Sequence, residues 1–151
     1  MATIYSDNLV RARAGRNLNA HEAQGKLRIL FYNFASLPAG AIGDVLVLGR
    51  MRSGERLVYG RETHAAAGIG TFNIGTYAIS PLGDLGAAIS AALYTSVALS
   101  AGVGTNFFGD LAVADVPVDP LATDAFLCIT NVGTAFTTAA RFTGKAFVVA
   151  D

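Results

Sequence analysis

The sequence predicts an all-β domain, a jelly-roll-like β-sandwich or barrel that carries one short helix and an extended N-terminal arm. Three observations lead there. Short runs of alternating or continuous apolar residues recur along residues 26–151, each bounded by Gly, Pro or Asn. Only one window, residues 82–94, spaces its apolar residues as a helix does. No segment repeats at a fixed period, which excludes propellers and solenoids. About eight or nine such strands with at most one helix have few stable arrangements besides two packed sheets or a closed barrel. The 151 residues amount to one domain, read here as an arm over residues 1–25 and a β domain over residues 26–151.

The arm shows neither period. Its apolar groups, Ile4, Tyr5, Leu9, Val10 and Leu18, are too sparse to fill a core but suffice to anchor an extended segment, and Arg11, Arg13 and Arg16 cluster between them. Fully extended, its roughly 24 residues would reach roughly 80 Å. It has no apolar stretch of the length a secretory signal needs, so none is expected.

From Lys26 the pattern turns to strands. In KLRILFYNF, Leu27, Ile29 and Phe31 alternate with Arg28, Leu30 and Tyr32, as in a largely buried strand. Pro38, Gly40 and Gly43 break it. DVLVLGRM and ERLVYGRE follow, separated by Arg52, Ser53 and Gly54, which reads as a hairpin with a bulge-type turn. GIGTFNIGTY is the next strand. Leu82, Leu85, Ile89 and Leu93 then follow helical spacing with alanines between them, and Asp84 falls in the first turn, where it favours the helix dipole. Gly86 weakens that helix by about 1 kcal/mol relative to Ala. Strands resume at residues 97–100 and 107–113. After the loop VPVDPLATD comes AFLCIT, then a turn at Asn131, Val132 and Gly133 into TAFTTAARF, and Gly144 leads into KAFVVA.

Composition narrows the function. The chain is 52% hydrophobic and 15% charged, against about 25% charged in an average domain, which excludes intrinsic disorder. Eleven basic and eleven acidic groups cancel, so no global field attracts polyanions or acidic membranes. The charge is unevenly spread: residues 1–75 hold nine basic and five acidic groups, residues 76–151 two and six. Such a dipolar sequence suits self-association or a patterned partner. Residues 85–109 carry no charge, yet they are rich in Gly, Ser and Thr and lack flanking Lys or Arg, so a soluble protein with no membrane partner is expected. Apolar residues in excess of one small core imply an oligomer.

No chemistry announces itself. Cys128 sits inside an apolar strand and is expected to be an inert, buried thiol. His64 follows Glu62 by two residues, but no third metal ligand lies nearby, so a hydrogen-bonded surface histidine is expected; His21 stands far away. Asp110, Asp115, Asp119 and Asp124 are spaced by five, four and five residues, unlike a calcium loop. GIGTFNIG lacks both the third glycine and the βαβ setting of a dinucleotide loop. The arm's arginines lack interleaved aromatics for nucleic acid and suit bidentate contacts with carboxylates of a neighbouring protein. The reading is therefore of a non-enzymatic protein with no catalytic residue, no cofactor, no metal and no nucleic-acid partner.

The runs RARAGRNLNAHEAQGKLRILFYNF, LPAGAIGDVLVLGRMRSGERLVYGRETH with GIGTFNIGTY, and FLCITNVGTAFTTAARFTGKAFVV resemble the small capsid-decoration, or cement, proteins of tailed bacteriophages. The resemblance covers most of the chain and rests on overall pattern, since no fixed motif carries it. It implies a jelly-roll-like domain, homodimers or homotrimers on the outer capsid surface, the major capsid protein as partner, synthesis in the host cytoplasm, and no catalysis. Only the arm, residues 3–24, is matched in role, by position and polarity; its contact residues would be Tyr5, Leu9, Arg11, Arg13, Arg16 and Leu18. Two other readings stay open: a tail, neck or fibre-base component, and a carbohydrate-binding jelly roll. The second is weakened by the absence of Trp.

Overall fold

The computed structural model describes residues 3–5, 27–36, 40–65, 70–99, 102–108, 121–135 and 140–150. These contain nine strands and no helix: β1 (Thr3–Tyr5), β2 (Leu27–Phe34), β3 (Val45–Met51), β4 (Glu55–Ala65), β5 (Gly70–Ile79), β6 (Leu85–Leu99), β7 (Gly104–Phe108), β8 (Ala125–Asn131) and β9 (Arg141–Ala150). They form two sheets, one of five strands in the order β1-β3-β8-β5-β6 and one of four in the order β2-β9-β4-β7. All pairs are antiparallel except β1 with β3. The chain changes sheet at nearly every connection. Only β5 and β6 are consecutive and share a ladder. The expected all-β, jelly-roll-like sandwich is what forms.

The period of two decides what is buried. On β2 the inward positions are Arg28, Leu30, Tyr32 and Phe34; on β9 they are Phe142, Ala146 and Val148. Facing them from the five-stranded sheet come Leu46, Leu48, Phe72, Ile74, Leu127 and Ile129. Phe72 and Phe142 meet edge to face across the sandwich, with ring centroids 6.5 Å apart. Gly144 sits mid-strand in β9, where any Cβ would collide with the Arg61 carbonyl and the Tyr32 ring. The gap it leaves lets the Tyr32 hydroxyl donate to that carbonyl at 3.1 Å.

Three expectations about the elements need correction. The helix over residues 82–94 is instead a hairpin loop followed by β6. The loop closes through Ser80 N–H to the Asp84 carbonyl at 2.8 Å, with Gly83 at φ +83°. Pairing with β5 satisfies a whole row of backbone groups that a helix there would have left open on the sheet. The helical spacing survives inside a strand because β6 is bulged: nine steps along β5, from Gly70 to Ile79, span fourteen along β6, from Leu99 to Leu85. Ala and Gly tolerate those bulges, and a Cβ at Gly86 would collide with the Ala78 carbonyl.

The other two concern connections. Arg52, Ser53 and Gly54 do form the turn, with Gly54 at φ +81° and Glu55 N–H donating to the Arg52 carbonyl at 3.0 Å. Yet β3 and β4 lie in different sheets, so the turn arches between layers and no hairpin ladder forms. Asn131 to Gly133 likewise end β8 in one sheet while β9 belongs to the other, and β9 runs through Gly144 without a break. Within the stretch read as the arm, Thr3–Tyr5 pairs in parallel with Val45–Val47 at the edge of the five-stranded sheet.

Candidate interaction surface

Arg28, Glu55, Glu62 and His64 are turned inward, into two polar knots. The first closes one end of the sandwich. Arg28 Nε donates to Glu55 Oε1 at 2.9 Å, its Nη2 donates to the Arg50 carbonyl at 2.8 Å, and Arg52 N–H donates to Glu55 Oε2 at 2.7 Å. Both charges are buried, and the Arg50 contact ties the four-stranded sheet to β3 of the other.

The second knot lies under β4 and β7. Glu62 and His64 occupy inward positions two apart, 0% and 2% exposed. The histidine is therefore a core group, not the expected surface one: β4 turns both residues of the pair to the same, buried face. His64 Nδ1 lies 3.1 Å from each Glu62 oxygen. Asn106 Nδ2 donates to Glu62 Oε2 at 3.1 Å and to the Ala98 carbonyl at 2.6 Å, which links β7 to β6. Burial pushes the Glu62 carboxyl up from its usual value, opposed by the hydrogen bond and charge of His64 and the hydrogen bond from Asn106. Burial, then the Glu62 charge, pushes the Tyr32 phenol well above the ordinary tyrosine range.

Both knots are hydrogen-bonded into the interior, and the second offers two metal-ligand types where a site needs three or four. Among the described residues no group of three His, Cys, Asp or Glu side chains gathers. Cys128 is fully buried and its thiol is raised by burial, as expected of an inert core cysteine. Asp124 lies at the surface, where Ser53 N–H at 2.8 Å and Arg50 hold its carboxyl below the usual carboxylate range. Asp110, Asp115 and Asp119 lie outside the described residues. Among the described residues no helix is long and apolar enough to cross a membrane.

Of the expected arm contacts, Leu9, Arg11, Arg13, Arg16 and Leu18 also lie outside the described residues. Tyr5 is described, and it is engaged with its own domain. Its ring meets Phe126 edge to face at 6.1 Å and its hydroxyl accepts the Leu85 N–H at 3.2 Å.

The outward side of the four-stranded sheet is different in kind. Ladder registers place Leu27, Val149 and Arg56 in one row; Ile29, Phe147 and Tyr59 in the next; then Phe31, Lys145, Arg61 and Phe107; then Asn33, Thr143, Thr63 and Thr105. Leu27 is 57% exposed, Tyr59 36% and Phe107 68%. Tyr59 stacks on Phe147 at 4.6 Å, and the Lys145 ammonium sits 5.3 Å from the Phe147 ring centre. Sequence reasoning did not single out this surface. The available signal was that β2 and β9 are apolar on both parities, with cations only on the outer one of β9.

No protein-family model and no curated protein sequence matches the chain. Two solved structures share its architecture. A chain in the capsid of Ralstonia phage GP4 superposes with a TM-score of 0.68 over 99% of this chain and 99% of its own, at 14% identity. A chain in the capsid asymmetric unit of cyanophage Pam1 gives 0.50 over 91% and 96%, at 15% identity. The likeness is one of fold, end to end.

Proposed function

We propose that the chain is a non-enzymatic virion protein of a tailed bacteriophage, which binds the outer capsid surface as a homodimer or homotrimer and cements neighbouring major capsid subunits. The observation that carries this reading is the likeness of fold to a chain of a phage capsid, which covers 99% of each of the two chains. Physical logic agrees with it. Glu62, His64 and Cys128 are buried, while apolar and cationic groups stand on the outer side of the four-stranded sheet, which is the composition of a gripping surface. A cement protein acts at many equivalent sites, so modest single contacts become durable through multivalency. In this reading the arginines of the arm, Arg11, Arg13 and Arg16, reach carboxylates on a neighbouring capsid subunit, with Leu9 and Leu18 as apolar anchors.

Copy number tests the reading directly. Quantitative mass spectrometry of purified particles should find the chain in proportion to the major capsid protein, and native mass measurement should find a dimer or trimer. About a dozen copies per particle would move the chain to the neck or tail. The triple variant R11A/R13A/R16A should keep its thermal midpoint and its oligomer mass yet sediment with empty shells at least about tenfold more weakly. Full-strength binding by that variant would remove the arm from the mechanism.

A further inference from the structure

We propose that the outer face of the four-stranded sheet is a docking face for a protein surface that presents apolar side chains among carboxylates. The inference rests on the capsid-binding reading and deepens it, since it names the face by which the chain would hold its partner.

Two unfavourable arrangements coincide on this face. Leu27, Tyr59 and Phe107 leave apolar surface in water, with Ile29, Phe147 and Val149 half-buried beside them. Arg61 and Lys145 stand directly opposite each other on β4 and β9. Like charges so placed destabilise a sheet, and no carboxylate of a described residue shares their side. The acids of this sheet, Glu55 and Glu62, both point inward. Arg56 and Arg141 lie on the same outer side. A surface carrying carboxylates between apolar groups relieves both faults at once.

The face is also ordered in advance. The Tyr59 ring is fixed by stacking on Phe147, and the Lys145 ammonium is already drawn over that pair. Docking then costs little side-chain entropy.

Other occupants fit less well. A two-fold contact between copies through this face sets Arg61 and Lys145 against their own equivalents, so it repels. Elsewhere in the described residues a second copy offers little negative charge: Asp44 is buried, Asp124 is taken by Arg50, and Asp84 is a single exposed carboxylate in the loop before β6. Nucleic acid favours a basic groove that tracks a backbone. Here the Arg61 and Lys145 pair stands among apolar side chains and forms no continuous basic track, on a chain of zero net charge.

The test uses the full chain and empty shells assembled from the major capsid protein encoded with it, read by co-sedimentation. R61E/K145E changes two side chains on the solvent side and should keep the wild-type melting midpoint. Its binding should weaken at least about tenfold, as should that of Phe107→Ser, while the charge-preserving R61K/K145R binds as wild type. Wild-type affinity in R61E/K145E overturns the inference and leaves the capsid reading intact. So does salt-sensitive binding of the wild type to a single-stranded oligonucleotide that R61E/K145E abolishes, which makes the partner nucleic acid, or a loss of oligomer mass in R61E/K145E, which makes it a second copy. Failure of the wild type itself to bind shells overturns the capsid reading before any variant is compared, and this inference with it.

Discussion

In the five-stranded sheet, β3 and β8 bury side chains on both faces. Leu46, Leu48, Leu127 and Ile129 point into the sandwich, while Val45, Val47, Phe126 and Cys128 point away from it and are buried all the same, with Tyr5, Ile79 and Leu85 packed against them. In the four-stranded sheet, β2, β9 and β4 bury one face and leave the other to solvent, with Tyr59 and Phe107 exposed on it. The difference teaches where the surplus apolar surface of a 52% hydrophobic chain goes. Part of it is absorbed by a second, smaller core on the back of the five-stranded sheet. The rest stays on the outer side of the other sheet, where Leu27, Tyr59 and Phe107 remain exposed. One sheet completes the molecule and the other presents it.

The strongest way to break this contrast is to sever what locks the two sheets together. Glu55→Ala strips the carboxylate from the buried Arg28 guanidinium between β2 and β3, so it should cost about 3–5 kcal/mol in urea unfolding. Replacing both members of the pair, as Arg28→Met with Glu55→Leu, should recover most of that loss. A cost below about 1 kcal/mol for Glu55→Ala would show that water reaches the pair and that it does not bind the layers.

The outer faces themselves give the next largest effect. Phe126 and Phe107 both point away from the interior, one on each sheet, and are 3% and 68% exposed. Phe126→Ala should destabilise by about 3–5 kcal/mol, since it empties the second core. Phe107→Ala should change stability by no more than about 0.5 kcal/mol, as exposed positions do. Equal costs would show that the two outer faces are buried alike, and the docking face would lose its basis.

The all-β class, the Gly54 turn and the buried strands were readable because alternation and glycine placement are local signals. Sheet membership was not. Arg52 to Gly54 has the same local chemistry whether the next strand pairs with the last or crosses to the other layer, and the choice is made by the long-range pairing of β4 with β9. Residues 82–94 misled for a related reason: Leu85, Ile89 and Leu93 have helical spacing, yet the open edge of β5 outweighs the preference of alanine for helix. The cationic face was hidden because its charges come from distant stretches, Arg56 and Arg61 from one half and Arg141 and Lys145 from the other. Register alone brings them to one side. His64 was misplaced because a Glu two residues away reads as a solvated pair, whereas β4 turns both inward.

The smallest effect sharpens the contrast within the four-stranded sheet, between its cationic outside and the carboxylate it hides. Burial raises Glu62, and the groups that oppose the rise, His64 and Asn106, both lie inside the sandwich. The sign of the pH dependence follows. Below the unfolded-state value, near 4.5, the carboxyl is protonated in both states and its contribution to stability is fully present. As pH rises, the unfolded chain releases the proton first, so stability falls until the folded value is passed. Glu62→Gln cannot titrate, so its stability relative to wild type should grow between about pH 4 and about pH 7, followed by urea midpoints. A flat difference, or one of opposite slope, would mean that attraction to His64 outweighs desolvation. R61Q/K145Q, which removes the outer cations without adding a titrating group, should leave the wild-type slope unchanged, because the sheet separates those charges from the buried knot. If that slope moves, the outer cations reach through to Glu62, and the two sides of the sheet are not electrically independent.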